Sequence, residues 1–259
     1  MEVRWFEQSL ADVSAQDDWL GPWESSHLLT LRFPKRRSDW RLGRWTAKHA
    51  VAYDLHLTPN AKNLASIEIR PAASGAPEVF LHHEPANLAI AISHRGGIAA
   101  CAVGTGGAML GCDLEIVEPR SDAFVADYFT VEEQAAVRQA TASRCALAAL
   151  IWSAKESALK ALHAGLRIDT RSLAVALDDL DSAVLNDVSP QTPDGLIAKP
   201  HCLQFWRPLR VTYMQKAFHG WWFRSADILR TQVSLPSTPP PVSIQSQIEH
   251  LAIYRAPQA

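Results

Sequence analysis

The chain has 259 residues, 25 Lys and Arg against 27 Asp and Glu for a net charge of -2, with 47% hydrophobic and 20% charged residues. A chain this long buries roughly 70 to 75% of the surface its unfolded form exposes, so it can fold without disulfide or metal as one large domain or two small ones. Its near-neutral balance argues against wholesale binding to nucleic acid or anionic lipid, and the absence of any run of about 18 apolar residues or of a basic, apolar leader predicts a cytoplasmic protein outside the membrane.

The first strong element is basic. Between residues 32 and 48 stand Arg32, Lys35, Arg36, Arg37, Arg41, Arg44 and Lys48 against the single acid Asp39. From Pro34 to about Leu55 the pattern predicts a helix, with Trp40, Gly43, Ala47, Ala50 and Val51 on one stripe and Arg37, Arg41, Arg44 and Lys48 on another face. Like charges at that spacing repel by a few tenths of a kcal/mol per pair, which an anionic ligand would relieve. A solvated helix face explains the same pattern equally well.

Short runs at residues 66–70, 87–93, 98–103 and 109–116 alternate or stay apolar between Gly- and Pro-containing turns, and predict strands of a largely antiparallel sheet. Within the second, Ser93-His94 ends at a Gly96-Gly97 turn. Adjacent strand side chains point to opposite faces, so the pair cannot be nucleophile and base; phosphate contact by hydroxyl and imidazole fits better.

In Gly111-Cys112-Asp113-Leu114-Glu115-Ile116, strand alternation puts Asp113 and Glu115 on one face, roughly 7 Å apart, within reach of a shared divalent cation. Two carboxylates make an incomplete cage, which suits magnesium because it keeps waters and takes substrate phosphate. A lone Asp-x-Glu also occurs on plain exposed strands.

Residues 113 to 133 are acidic, with Arg120 alone against Asp113, Glu115, Glu118, Asp122, Asp127, Glu132 and Glu133. Thr130-x-x-Glu133 has capping-box spacing and predicts a helix start. A second helix is predicted from Ala142 to His163, burying Leu147, Ile151, Ala154, Ala158 and Leu162. Its Trp152-x-x-Lys155-Glu156-x-x-x-Lys160 offers a third carboxylate in Glu156 and, one turn on, a cation in Lys160. As a surface pair the same two residues would contribute only about 0.3 to 0.5 kcal/mol.

Strands are predicted again at 172–177, 203–206, 209–213, 220–223 and 228–233, and Pro236, Pro239, Pro240 and Pro241 predict a spacer ahead of a short amphipathic piece at 248–254. Cys101, Cys112, Cys145 and Cys202 lie too far apart for a zinc or redox motif and are expected in the core.

Taken in order, the basic helix, Gly75-x-Pro77, Ser93-His94, Gly111-x-Asp113-x-Glu115, Phe129-Thr130 with Glu133, and Trp152-x-x-Lys155-Glu156-x-x-x-Lys160 resemble the 4′-phosphopantetheinyl transferases of the surfactin-synthetase-activating (Sfp) type, over about residues 32 to 166. The resemblance implies an α+β fold, a pseudo-dimer of two similar α+β halves with coenzyme A in the cleft between them. The halves would span residues 1–106 and 107–235, with a Pro-rich tail at 236–259. It implies transfer of the phosphopantetheine arm of coenzyme A to a serine of an apo acyl carrier protein or peptidyl carrier protein by a monomer, for fatty acid, polyketide or nonribosomal peptide synthesis, releasing adenosine 3′,5′-bisphosphate.

Asp113, Glu115 and Glu156 would bind magnesium, or manganese in its place, with Lys160 beside the phosphates and Glu156 the candidate base. Ser93, His94 and Asp113 would contact coenzyme A, and Arg36 and Arg44 its 3′-phosphate. The family's usual lysine in the Gly-x-Pro motif is replaced by Ala76, and its second serine after Ser-His by Arg95. A carrier would dock on residues 124–137, where Phe124, Val125, Tyr128 and Phe129 exceed what a connection requires, although Phe129 equally suits the core. Two other readings use the same residues: a coenzyme A-binding or carrier-binding protein without catalysis, and a magnesium-dependent nucleotide hydrolase.

Overall fold

The computed structural model describes residues 1–177, 185, 206–245 and 248, which form two compact units. Cys202, residues 203–205 of the strand expected over 203–206 and most of the piece expected at 248–254 lie outside the described residues.

The first unit comprises residues 1–108 together with residues 241–245 and 248. Strand β1 (Arg4–Ser9) is followed by α1 (Pro22–Thr30), the long α2 (Pro34–Asp54), the short α3 (Ala61–Ser66), and strands β2 (Ile67–Pro71), β3 (Pro77–Leu81), β4 (Glu84–Pro85), β5 (Leu88–Arg95) and β6 (Ile98–Thr105). β1 pairs antiparallel with β6 and β6 with β5, while β2, β3 and β4 form a second sheet. Helix α2 covers β1, β5 and β6, and the stripe read from the sequence supplies the contact: Gly43, Ala47, Ala50 and Val51 are buried and Trp40 partly so.

Its charged face is put to internal use. Arg37 donates to the carbonyls of Leu28 (2.7 Å) and Leu31, Arg41 donates to the Asp17 carboxylate (2.8 Å) and the Ser14 carbonyl (2.6 Å), and Lys48 is fully buried against Glu24. Residues outside the helix therefore relieve the expected repulsion. Glu24 occupies the third position of α1, where its carboxylate accepts from the Gly21 and Ile69 N–H groups (both 3.1 Å). Lys48 also donates to the Trp19 carbonyl at 2.8 Å.

The second unit spans Met109–Pro240. It runs β7 (Met109–Ile116), α4 (Asp122–Tyr128), α5 (Val131–Gln139), α6 (Arg144–Ala161), β8 (Leu173–Leu177), β9 (Arg207–Tyr213), β10 (Lys216–Ser225) and β11 (Ile228–Leu235). The sheet has the order β7-β11-β10-β9-β8 with every neighbouring pair antiparallel. Helix α6 lies on β7 and β11, burying Leu147, Ile151, Ala154 and Ala158 over Val211, Phe218, Leu229 and Val233.

Thr130 caps α5 with the reciprocal box expected from its spacing: its hydroxyl accepts from the Glu133 N–H, and the Glu133 carboxylate accepts from its N–H. That carboxylate also accepts from the Val175 N–H (2.9 Å) and pairs with the buried Lys155 ammonium of α6 (2.7 Å). Lys155 completes its shell on the carbonyls of Tyr128 (3.1 Å) and Thr170 (2.8 Å).

The end of the chain differs from the expected spacer. Strand β12 (Val242–Ser243) pairs parallel with β1, and Ile244 and Ile248 are buried in the first unit's core. Two apolar residues in a polar, Pro-rich stretch are enough to return it to a sheet edge. No helix among the described residues is long and apolar enough to cross a membrane.

Candidate active site

Alternation along β7 decides the face. A Cβ on Gly111 would lie 1.8 Å from the Ser157 carbonyl oxygen of α6, so Gly111 faces that helix, and Asp113 and Glu115 face the same way. The absent side chain is what lets α6 approach closely enough to set Glu156 and Lys160 beside the strand. A hydroxyl cluster fixes the approach from the other side: Thr231 Oγ1, paired in register with Asp113, lies 2.8 Å from Ser153 Oγ and 2.7 Å from Ser157 Oγ. The sequence reading missed this cluster, whose only sequence signal is that Ser153 and Ser157 stand one helical turn apart.

The Lys160 ammonium donates to Asp113 Oδ1 at 2.7 Å and to the Cys112 carbonyl at 3.0 Å. Burial opposes its charge, but Asp113, Cys112 and Glu156 outweigh that and hold its pKa above the usual lysine value. Glu156 is half-buried, and burial first, then the Asp113 and Glu115 charges, push its pKa above the usual carboxylate value against the pull of Lys160. Glu115 accepts from Arg120 at 2.8 Å, and that guanidinium lies over the Phe124 ring at 5.1 Å.

These three carboxylates have the all-oxygen donor chemistry of a hard divalent cation, and besides burial, the repulsion that raises the Glu156 pKa is what such a cation would relieve. Their arrangement is looser than a formed cage: among the described residues, no three His, Cys, Asp or Glu side chains are grouped to hold a metal ion. Lys160 and Arg120 instead hold Asp113 and Glu115.

In the first unit, Arg36 and His94 line one open pocket of about 460 Å³ with Phe33, Lys35, Asp39 and Trp40. Arg36 is exposed, and no hydrogen bond to its guanidinium is found among the described residues. Arg44 sits lower, partly buried with its guanidinium 5.1 Å from the Trp40 ring centroid, and burial pulls its pKa down. His27 stacks between Trp23 (5.1 Å) and Trp40 (5.4 Å), and burial, then Arg44 and Arg36, lower its pKa. Ser93 is buried and His94 exposed, on opposite faces of β5 as alternation requires. The structure therefore groups Asp113, Glu115, Glu156 and Lys160 in the second unit and Arg36 with His94 in the first, while Arg44 and Ser93 lie outside that pocket's lining.

In the segment expected to dock a carrier, the aromatic residues pack on the core of the unit while Val131 is exposed. Phe129 is fully buried, and Phe124 and Tyr128 are partly buried, each with its ring 5.0 Å from that of Trp152. Cys101 and Cys112 are buried as expected, and Cys145 is only partly so.

A family profile described as the 4'-phosphopantetheinyl transferase superfamily matches residues 109–206. No curated protein matches the chain. Among solved structures, the holo-[acyl-carrier-protein] synthase of Helicobacter pylori, in complex with coenzyme A, is 19% identical and aligns over 40% of this chain and 99% of that one, with a TM-score of 0.28.

Proposed function

We propose that this chain is a transferase of the Sfp type that moves the 4′-phosphopantetheine arm of coenzyme A to a serine of an apo acyl or peptidyl carrier protein. The observation that carries the reading is the grouping of Asp113, Glu115, Glu156 and Lys160 where α6 meets β7, inside the segment that the superfamily profile matches. Two units built on a long helix over an antiparallel sheet, with β1-β6-β5 and β7-β11-β10 in the same order, support the view of two similar halves.

In the reaction the serine oxygen forms a bond to the β-phosphorus of coenzyme A as the bond to adenosine 3′,5′-bisphosphate breaks. Magnesium or manganese, held by Asp113, Glu115 and Glu156, would neutralise the diphosphate oxygens. Lys160, its charge secured by Asp113, faces the same place and stabilises the oxygen that gains charge in the transition state. Glu156, to which no hydrogen bond from Lys160 or Arg120 is found among the described residues, accepts the serine proton. Arg36 and His94 offer cation and imidazole to the coenzyme's phosphates, with Arg44 and Ser93 as further contacts.

Incubating the full chain with coenzyme A and magnesium, with and without apo carrier protein, tests the reading. Carrier-dependent release of the bisphosphate with a matching mass gain on the carrier is expected. Hydrolysis without carrier, or binding without any product, would replace it with the hydrolase or the non-catalytic reading.

A further inference from the structure

The two units repeat one buried glutamate–lysine device, though their sequences show no repeat by eye. In each, a glutamate at the third position of a short helix accepts from the N-cap N–H with one oxygen and from a strand N–H with the other: Glu24 from Gly21 and Ile69, Glu133 from Thr130 and Val175. In each, that glutamate pairs with a fully buried lysine of the long helix, Lys48 or Lys155. Each lysine also donates to the carbonyl two residues before the N-cap, Trp19 or Tyr128, and lies over an aromatic ring, Trp19 at 5.3 Å or Phe129 at 5.6 Å.

This correspondence fixes which residues are equivalent around it. The residue after the lysine is His49 in the first unit and Glu156 in the second, and five residues after it stand Tyr53 and Lys160. Counting register from Ile98 and Ile228, the residues that open β6 and β11, Phe6 opposite Cys101 matches Asp113 opposite Thr231, and Gln8 matches Glu115. A ring contact checks the match independently: His49 stacks on Phe6 with centroids 6.3 Å apart, as Glu156 faces Asp113.

One device thus aims two unlike residues at the neighbouring strand. His49 meets an aromatic ring that attracts it, and burial keeps it neutral, with its pKa lowered to about 4. Glu156 stands in the field of two carboxylates that repel it and of the Lys160 cation that offsets them in part. Only in the second unit does the residue being aimed resist the aim.

We infer that the Glu133–Lys155 pair is the positioning pair of the carboxylate site: it locks the rotation of α6 so that Glu156 is held against Asp113 and Glu115 in place to share a divalent cation. The inference rests on the metal reading given above. Glu24–Lys48, the same device beneath an apolar contact, serves the fold of its own unit alone and is the internal control.

The test compares two double variants of the full chain, Glu133→Gln/Lys155→Met and Glu24→Gln/Lys48→Met, each removing both charges so that neither leaves an unpaired one buried. Manganese affinity is measured by electron paramagnetic resonance of the free ion, without coenzyme A, alongside the melting temperature. Both variants are expected to melt earlier, but only the first should bind manganese more weakly, by about ten- to a hundredfold as for other residues that orient metal ligands. Unchanged affinity in the first variant, or equal weakening in the second, would overturn the inference and leave the metal reading standing. A wild-type chain that binds no manganese would instead overturn the metal reading, and this inference with it. Should the first double variant fail to fold, Glu133→Gln alone keeps a side-chain carbonyl acceptor and carries the same comparison.

Discussion

Replacing Gly111 by alanine tests the geometry of the candidate site through a single methyl group. The new Cβ would stand 1.8 Å from the Ser157 carbonyl oxygen and 2.9 Å from the Ala161 nitrogen, both backbone atoms of α6. An ordinary contact starts at 3.4 Å, so strand and helix must separate by about 1.6 Å. Overpacking of this kind costs about 1 to 3 kcal/mol, and each kcal/mol lowers the melting temperature of a chain this size by roughly 2 to 4 °C. The same shift breaks the 2.7 Å contact between Lys160 and Asp113. A misplacement of about 1 Å can reduce turnover by around a hundredfold, so transfer to apo carrier should fall by at least that much. Because the clash is with a carbonyl, Gly111→Ala/Ser157→Gly should be no better. Thermal melting and carrier mass gain over time measure the two effects. An unchanged melting temperature with full turnover would show that α6 does not rest on Gly111, and rescue by Ser157→Gly would show that the obstacle is a side chain.

Gly43→Ala is the opposite case: its Cβ meets only Ile92 Cγ2, at 3.5 Å, so the gain in helix propensity of about 1 kcal/mol should appear as a melting temperature higher by roughly 2 to 4 °C, and a decrease would contradict the packing of α2 on β5. Glu156→Gln should stabilise the cation-free protein at neutral pH, because a carboxylate whose folded pKa is raised contributes stability below its unfolded pKa and loses it as pH rises through the folded one. The advantage over wild type in thermal melts from pH 4 to 8 should therefore grow with pH, and a constant difference would refute the electrostatic cause. Ending the chain at Pro240 removes β12 and the buried Ile244 and Ile248, about 3 to 6 kcal/mol of apolar burial, so hydrogen exchange should quicken in β1; unchanged protection there would refute the role of the returning strand.

Much of the second unit was legible in the sequence because its signals are local. Strand alternation placed Asp113 and Glu115 on one face, the Thr130-x-x-Glu133 spacing gave the capping box, and helical periodicity gave the buried stripe of α6. The first unit was less legible. Strand β1 and helix α1 escaped notice, although Gly21-Pro22 followed by Glu24 carries a helix-start signal of the same kind as Thr130 to Glu133. The basic face of α2 was legible as a pattern and misleading as chemistry, since the partners of Arg37, Arg41 and Lys48 sit 6 to 29 residues away in sequence. Periodicity reports which residues share a face and carries no information about what that face meets.

That difference supplies a physical criterion for separating structural from functional charge in this protein. Glu24, Lys48, Glu133 and Lys155 are buried and have partners on several sides, and a charge so enclosed has nothing left to offer a ligand. Glu156 and Arg36 stand at the other extreme. Glu156 has two like charges and the Lys160 cation for neighbours, Arg36 opens onto a pocket, and no hydrogen bond to either side chain is found among the described residues. Burying an ion without compensation costs several kcal/mol, so a fold tolerates an unsatisfied one only where it stays partly open to solvent or to a partner. Three of the seven cations read as one basic segment, Arg37, Arg41 and Lys48, have carboxylates or carbonyls from outside the helix to hold them, while Lys35 is exposed beside Asp39 and lines the same pocket as Arg36. The density of positive charge along α2 thus overstates how many of its cations face outward, and among them Arg36 lines a pocket with His94 and Trp40.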